Sequence, residues 1–182
     1  MRSSRSACGS SILPVTSNAT VIRVARLDEI FALRHAILRP GRPLAAATFD
    51  GDDEPATVHV AAFDGPAVVG CATVIRRPLD GDEAAQLRGM ATAPARMRQG
   101  VGTTVVRFAE ALVARDWHLG LVWCNARTSA QGFYESAGWS VVSDVFEVPD
   151  VGPHVRMVRM LASVDFGDVR STIGQIPTRR RT

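Results

Sequence analysis

The sequence predicts an α/β domain: a central mixed sheet flanked by helices on both faces. Three observations carry that expectation. Apolar runs alternate between strand-like and helix-like periods, in the order β-α-α-β-β-β-α-β-α-β-β. Asp64-Gly65 lies between two apolar runs, a two-residue hairpin signal. Gly100-Val101-Gly102 separates a strand-like stretch from an amphipathic one, so a strand runs through a glycine turn into a helix.

Thr20–Ala25 alternates as a first strand. Leu27–Leu38 follows as a helix, with Asp28 and Glu29 in its first turn, where the peptide dipoles favour negative charge. Ile30, Phe31, Leu33, Ile37 and Leu38 form its apolar face. Arg39-Pro40-Gly41-Arg42-Pro43 ends it, because each proline removes a donor and restricts the residue before it. A short helix or loop reaches Phe49. Asp50-Gly51-Asp52-Asp53-Glu54 lacks the ligand spacing of an EF-hand and reads as a solvated loop. Thr57–Phe63 and Pro66–Arg76 are the hairpin strands, and Arg77–Glu83 is a turn. Gln86–Thr92 is the central strand, and Ala93–Gln99 is a proline-interrupted, arginine-rich turn. In the helix Val101–Asp116, Val101, Val105, Phe108, Ala109 and Leu112 share the core face. A strand Leu119–Ala126, a short helix Thr128–Ala137, and strands Trp139–Val148 and His154–Leu161 complete the body.

A chain of 182 residues is long enough to bury a sizeable core and is read as one domain. At 46% hydrophobic and 21% charged it has the composition of a soluble globular protein, and no apolar run reaches the length of a membrane span. Residues 1–18 are rich in Ser and Arg, with an apolar patch too short for a secretory core, and read as a disordered arm. The body is 19–162 and the C-terminal tail 163–182, and the expected compartment is the cytoplasm. The net charge of +3 belongs to the ends, which hold 6 of the 21 basic and 2 of the 18 acidic residues. A near-neutral body is not a nucleic-acid surface. Cys8, Cys71 and Cys124 have no CxxC spacing and no His cluster nearby, so neither a disulfide framework nor a metal site is expected.

The chemistry is concentrated in Gln86–Thr104, QLRGMATAPARMRQGVGTT. Gly100 and Gly102 let the backbone approach a ligand closely. The free N–H groups of the first helical turn point at that ligand, and the aligned dipoles favour negative charge there. Arg96 and Arg98 add side-chain charge. The ligand such a turn accepts carries a phosphate or pyrophosphate.

Met90-Ala91-Thr92-Ala93-Pro94 precedes this turn, and Phe133-Tyr134-Glu135-Ser136-Ala137-Gly138-Trp139 follows it after one more strand. In that order and spacing, from Thr20 to Leu161 and most closely from Leu87 to Trp139, the chain resembles the GNAT superfamily of acyl-CoA-dependent N-acetyltransferases. Gly100 and Gly102 match the glycines of the family's Gln/Arg-x-x-Gly-x-Gly/Ala signature. Its first position is Met97 here, with arginines on either side, and a main-chain cradle does not depend on that side chain. The resemblance implies a GNAT-like fold, acetyl-CoA as cosubstrate with no metal, and direct transfer of the acetyl group to a primary amine of a small molecule or peptide. Final-strand exchange between subunits occurs in this family, which allows a homodimer. The resemblance also implies that the main chain of Met90, Ala91 and Thr92 pairs with pantetheine and offers an N–H to the developing oxyanion. Arg96, Arg98, Gln99, Gly100, Val101, Gly102 and Thr103 would hold the pyrophosphate.

Tyr134, the sole tyrosine, falls at the family's motif position as general acid; a phenol with a pKa of about 10 is protonated at neutral pH. The alternative is a core tyrosine bonded to a carbonyl. The central strand carries Gln86 and Arg88 but no carboxylate, so the base falls to a water relay, to another strand's residue, or to the amine's own basicity. His59 is the titrating candidate, or equally a hydrogen-bonded strand histidine. Asn125 could bond coenzyme A, orient a water, or cap its strand. Cys124 has no paired His and reads as buried. His35 lies near the usual acceptor entrance. Arg39 and Arg88 could clamp an acceptor carboxylate, or each could pair with an Asp of the 50–54 loop. Two other classes compete: a non-catalytic acyl-CoA-binding regulator that keeps the cradle but lacks a base, and a Rossmann-type dinucleotide enzyme. Against the last, the third glycine of its fingerprint is Val105 here.

Overall fold

The computed structural model describes residues 20–161; the expected arm 1–18 and tail 163–182, with Cys8, lie outside the described residues. Strand β1 (Val21–Ala25) leads into helix α1 (Leu27–Leu38), and a 3-10 turn at Leu44–Ala47 precedes β2 (Val58–Asp64), β3 (Ala67–Arg76) and β4 (Ala85–Thr92). Helix α2 (Val101–Trp117), β5 (Leu121–Arg127), α3 (Gln131–Ser136), β6 (Ser140–Val141), β7 (Phe146–Val148) and β8 (Gly152–Met160) follow. The strands form one sheet in the order β1-β2-β3-β4-β5-β8-β6, with β7 also on β8. Every pair is antiparallel except β4–β5, so the sheet is mixed, as predicted.

The two-residue period of the strands sorts the core into two layers. Val60, Ala62, Ala72 and Val74 meet Val105, Val106, Ala109 and Val113 of α2 on one face. The intervening Ala61, Phe63 and Cys71 meet Ile30 of α1 on the other. Each fully buried valine contributes about 1.5–3 kcal/mol, so α2, with three such valines, is the better-anchored helix. The β2–β3 hairpin turns one residue later than predicted: Asp64 still pairs with Ala67, and Gly65 takes the left-handed position at φ 56°.

Two elements differ from the sequence expectation. The single strand expected over Trp139–Val148 is broken into β6 and β7, because the Ser143 hydroxyl accepts the Arg156 N–H at 2.8 Å where a ladder carbonyl would stand. Trp139 is buried before β6 begins, its indole N–H donating to Glu110 at 2.7 Å. The 50–54 segment is not simply solvated. Asp52 is buried and pairs at 2.5 Å with Arg34, a fully buried residue on the inward face of α1. Among the described residues, no helix is long and apolar enough to cross a membrane.

Candidate active site

β4 and β5 are paired only at Ala85–Val122 and Gln86–Trp123. Beyond that point β4 continues alongside β3, and β5 alongside β8, so the sheet splits at its centre. β4 also carries an extra residue. Cys71 faces Ala91 but Thr73 faces Arg88, and Gly89, at φ 60°, supplies the left-handed backbone of this bulge. The split and the bulge leave the β5-facing main chain of Leu87–Thr92 without a strand partner. A cleft of about 930 Å³ opens along it.

The N-terminus of α2 closes one end of the cleft. Gly100 is its N-cap at φ 79°, a conformation that favours glycine, and the first-turn N–H groups after it have no intrahelical acceptors. Gly102 is required by space rather than by φ. A Cβ there would stand 3.1 Å from Met90 Cε, 3.2 Å from Thr92 Oγ1 and 3.3 Å from Phe133 Cε2. Helix α3 brings Tyr134 to the cleft wall, held edge-on against Phe133 and Trp139 at centroid distances of 5.0 and 5.3 Å. Burial, and then the neighbouring Cys124, push the Tyr134 phenol well above its ordinary pKa. Burial pushes the Cys124 thiol up to about 12, which leaves it protonated and a poor nucleophile.

Met90, Ala91, Thr92, Arg98, Gly100, Gly102, Thr103, Asn125, Tyr134, Arg39 and Arg88 all line this one cleft. Other expected residues do not. Arg96 turns away, paired with Asp64 at 2.6 Å and bonded to Thr20 Oγ1 at 3.0 Å. The Gln99 side chain folds back onto the Ala95 carbonyl at 2.8 Å. Val101 is buried in the core, so only its main chain can face a ligand. His35 is off the cleft, its Nε2 against the Arg42 carbonyl at 2.9 Å.

His59 is the clearest correction. It is buried beneath the Arg34–Asp52 pair on the α1 face of the sheet and does not line the cleft, with Nδ1 2.8 Å from Thr73 Oγ1 and Nε2 3.2 Å from the Asp52 carbonyl. A carbonyl only accepts, so Nε2 carries the proton. Thr73 Oγ1 accepts from Arg34 and donates its own hydrogen to Nδ1. Both ring nitrogens are thus occupied. Burial, and then the charge of Arg34, lower the imidazole pKa further.

The structure adds cleft residues that sequence reading missed: Phe49, Arg127 and His154. Arg127 and His154 stand directly opposite each other across β5 and β8. No local pattern marks either one, because their meeting depends on the last strand lying beside β5. His154 is buried, and its Nδ1–H donates to the Gly152 carbonyl at 2.7 Å, which leaves Nε2 without a hydrogen-bond partner among the described residues. Gln86, at the apex of the split, has a buried Oε1 without a hydrogen-bond partner. Among the described residues, no group of three His, Cys, Asp or Glu is placed to hold a metal ion.

The sheet thus splits at its centre, and an unpaired main-chain edge and a buried phenol share one cleft. The GNAT acetyltransferase domain family matches residues 54–141, from the loop before β2 through β6. The uncharacterized N-acetyltransferase YitI of Bacillus subtilis is 29% identical over 143 residues, covering 77% of this chain and 95% of that protein. An aminoglycoside 6'-N-acetyltransferase solved with coenzyme A superposes with a TM-score of 0.63 at 17% identity, over 77% of this chain and 96% of that one. ElaA of Escherichia coli gives 0.64 at 20% identity, over 76% and 98%. In sequence over residues 54–141, and in fold over most of its length, the chain is similar to GNAT N-acetyltransferases.

Proposed function

We propose that the protein transfers an acetyl group from acetyl-CoA directly to a primary amine. The observation that carries this reading is the parting of β4 from β5 after Gln86–Trp123, which opens an unpaired main-chain edge leading from the α2 N-terminus to Tyr134. The residues fit the cosubstrate: a Cβ at position 102 would fill the space between Met90, Thr92 and Phe133 beside that helix end. When bound, acetyl-CoA supplies an activated acetyl thioester. The N–H groups of the first α2 turn and the Arg98 side chain bind its pyrophosphate. The main chain of Met90–Thr92 pairs with the pantetheine arm. An N–H aimed at a developing oxyanion in a dry site is worth about 3 kcal/mol.

Tyr134 Oη holds the proton needed by the departing sulfur. Burial favours the neutral phenol, so the acid is charged with its proton throughout the neutral range. His154 Nε2 replaces His59 as the group that takes a proton from the amine, because its ring is oriented by the Gly152 carbonyl and it lines the cleft. Asn125 lines the cleft on β5 and orients water or the cosubstrate amide. The test pairs two measurements on the purified chain: a thermal shift with acetyl-CoA, and release of free thiol when amines are added. A shift with acetyl-CoA but not with NAD, and amine-dependent thiol release, are expected. No shift with acetyl-CoA would sink the reading.

A further inference from the structure

Among the described residues, five arginines line the cleft and no carboxylate does. Two have evident other roles. Arg77 is paired with Asp50 at 3.3 Å and lies 3.9 Å from Glu54, and Arg98 stands by the α2 end that faces the pyrophosphate. The remaining three, Arg39, Arg88 and Arg127, are half-buried, and among the described residues none is within ion-pair distance of a carboxylate. Neither Arg39 nor Arg88 forms a direct ion pair with an Asp of the 50–54 loop; Asp52, paired with Arg34, and Asp50 act on Arg88 only from further off. Arg88 reaches only the Asp50 main-chain carbonyl, at 2.5 Å, while Arg77 holds that residue's carboxylate.

Arg39 is linked to each of the other two. Arg39 and Arg127 both donate to the Leu38 carbonyl, at 2.9 and 3.2 Å. Arg39 and Arg88 both lie over the Phe49 ring, 4.9 and 5.4 Å from its centroid. A carbonyl and a ring face offset part of the charge but leave most guanidinium donors unused. Burial, and then the charges of Arg127 and Arg42, push Arg39 below its ordinary pKa, and burial does the same to Arg88. Three like charges gathered in a half-desolvated recess are unfavourable until an anion joins them.

We propose that the acceptor is an amine that also carries an oxyanionic group, a carboxylate or a phosphate, held by Arg39, Arg88 and Arg127. This rests on the acetyl-transfer reading of the cleft and names the class of its substrate. Polycationic amines, polyamines and aminoglycosides among them, meet like charge at the same place and are rejected.

The experiment is a turnover screen in matched sets: free α-amino acids against their amides, O-phosphoethanolamine against ethanolamine, and spermidine and kanamycin as polycations. The expected result is a kcat/KM at least 10-fold higher for one oxyanionic set than for its neutral counterparts, with that set identifying carboxylate or phosphate. Arg39→Gln and Arg127→Gln should raise KM for the favoured set and remove its advantage, with acetyl-CoA affinity unchanged and the melting temperature not lowered. Neutral or polycationic amines turned over as well as the oxyanionic ones would overturn the proposal. So would a protein that binds acetyl-CoA but acetylates no oxyanionic amine. Failure to bind acetyl-CoA at all is a separate outcome, which removes the transfer reading and this inference with it.

Discussion

The guanidinium of Arg34 and the carboxylate of Asp52 meet at 2.5 Å with side-chain exposures of 0% and 2%. The pair ties α1 to the loop before β2 and to β3, since Arg34 also donates to the Ala47 carbonyl and to Thr73, and Asp52 accepts the Phe49 N–H at 2.8 Å. It lies against the β4 bulge: a Cβ at Gly89 would stand 3.2 Å from Arg34 Nε. Removing one partner strands a buried charge, which costs about 3–5 kcal/mol. Asp52→Asn and Arg34→Met are each expected to lower the urea midpoint severely. The double variant Arg34→Met/Asp52→Asn should lose less than the sum of the two singles. Additive losses would show that the two side chains do not act as a pair.

How far the sequence revealed this molecule depends on how local each signal is. The glycine turn at 100–102, the apolar stripe of α2 and the Phe133-Tyr134 segment are short-range patterns, and the structure puts them where periodicity and spacing placed them. Arg34 escaped notice because a charged residue at helical spacing beside Ile30 and Leu33 reads as the edge of an apolar face. Its partner is 18 residues away in an acidic run that reads as solvated. His154 and Arg127 share the same difficulty, since their register is a property of β8 pairing with β5. His59 stands on the α1 face of β2, as Ala61 and Phe63 do, but Thr73 and the Asp52 carbonyl occupy its ring beside Arg34, and no local pattern marks those contacts.

Gly102 and Gly100 fail differently when substituted. At Gly102 a side chain intrudes on Met90, Thr92 and Phe133, so Gly102→Val is expected to weaken acetyl-CoA binding at least 10-fold and, because those neighbours must shift, to lower the melting temperature as well. At Gly100 a Cβ meets nothing within 4 Å, but φ is +79°. Gly100→Ala should therefore cost about 1 kcal/mol of stability through backbone strain. Calorimetric titration with acetyl-CoA, beside thermal melts, separates the two. Equal affinity in Gly102→Val and the parent would contradict the cradle.

Tyr134→Phe keeps the aromatic packing with Trp139 and Phe133 and deletes only the hydroxyl. Loss of a general acid is expected to cut kcat on the order of 100-fold, with acetyl-CoA affinity retained. Because burial raises the phenol's pKa, the parent enzyme should show no alkaline loss of rate from this group below about pH 10. A Phe variant with the parent's kcat across the pH range would remove Tyr134 from the chemistry.

The buried thiols make the fold sensitive to alkali. Burial pushes Cys71 from 9.0 up to about 11 and Cys124 from 9.0 up to about 12. In the unfolded chain both ionise once the pH passes 9.0, whereas the folded chain keeps them protonated until those higher values. The native state then binds more protons than the unfolded one, so stability is whole below that pH and falls above it. The slope is about 1.4 kcal/mol per pH unit for each thiol. Urea unfolding under reducing conditions at about pH 8 and about pH 10 should show the fall. In Cys71→Ala the difference between the two pH values should shrink by about 1.4 kcal/mol, whatever the cavity does to absolute stability. An unchanged difference would mean that the Cys71 thiol ionises as readily in the fold as in the open chain.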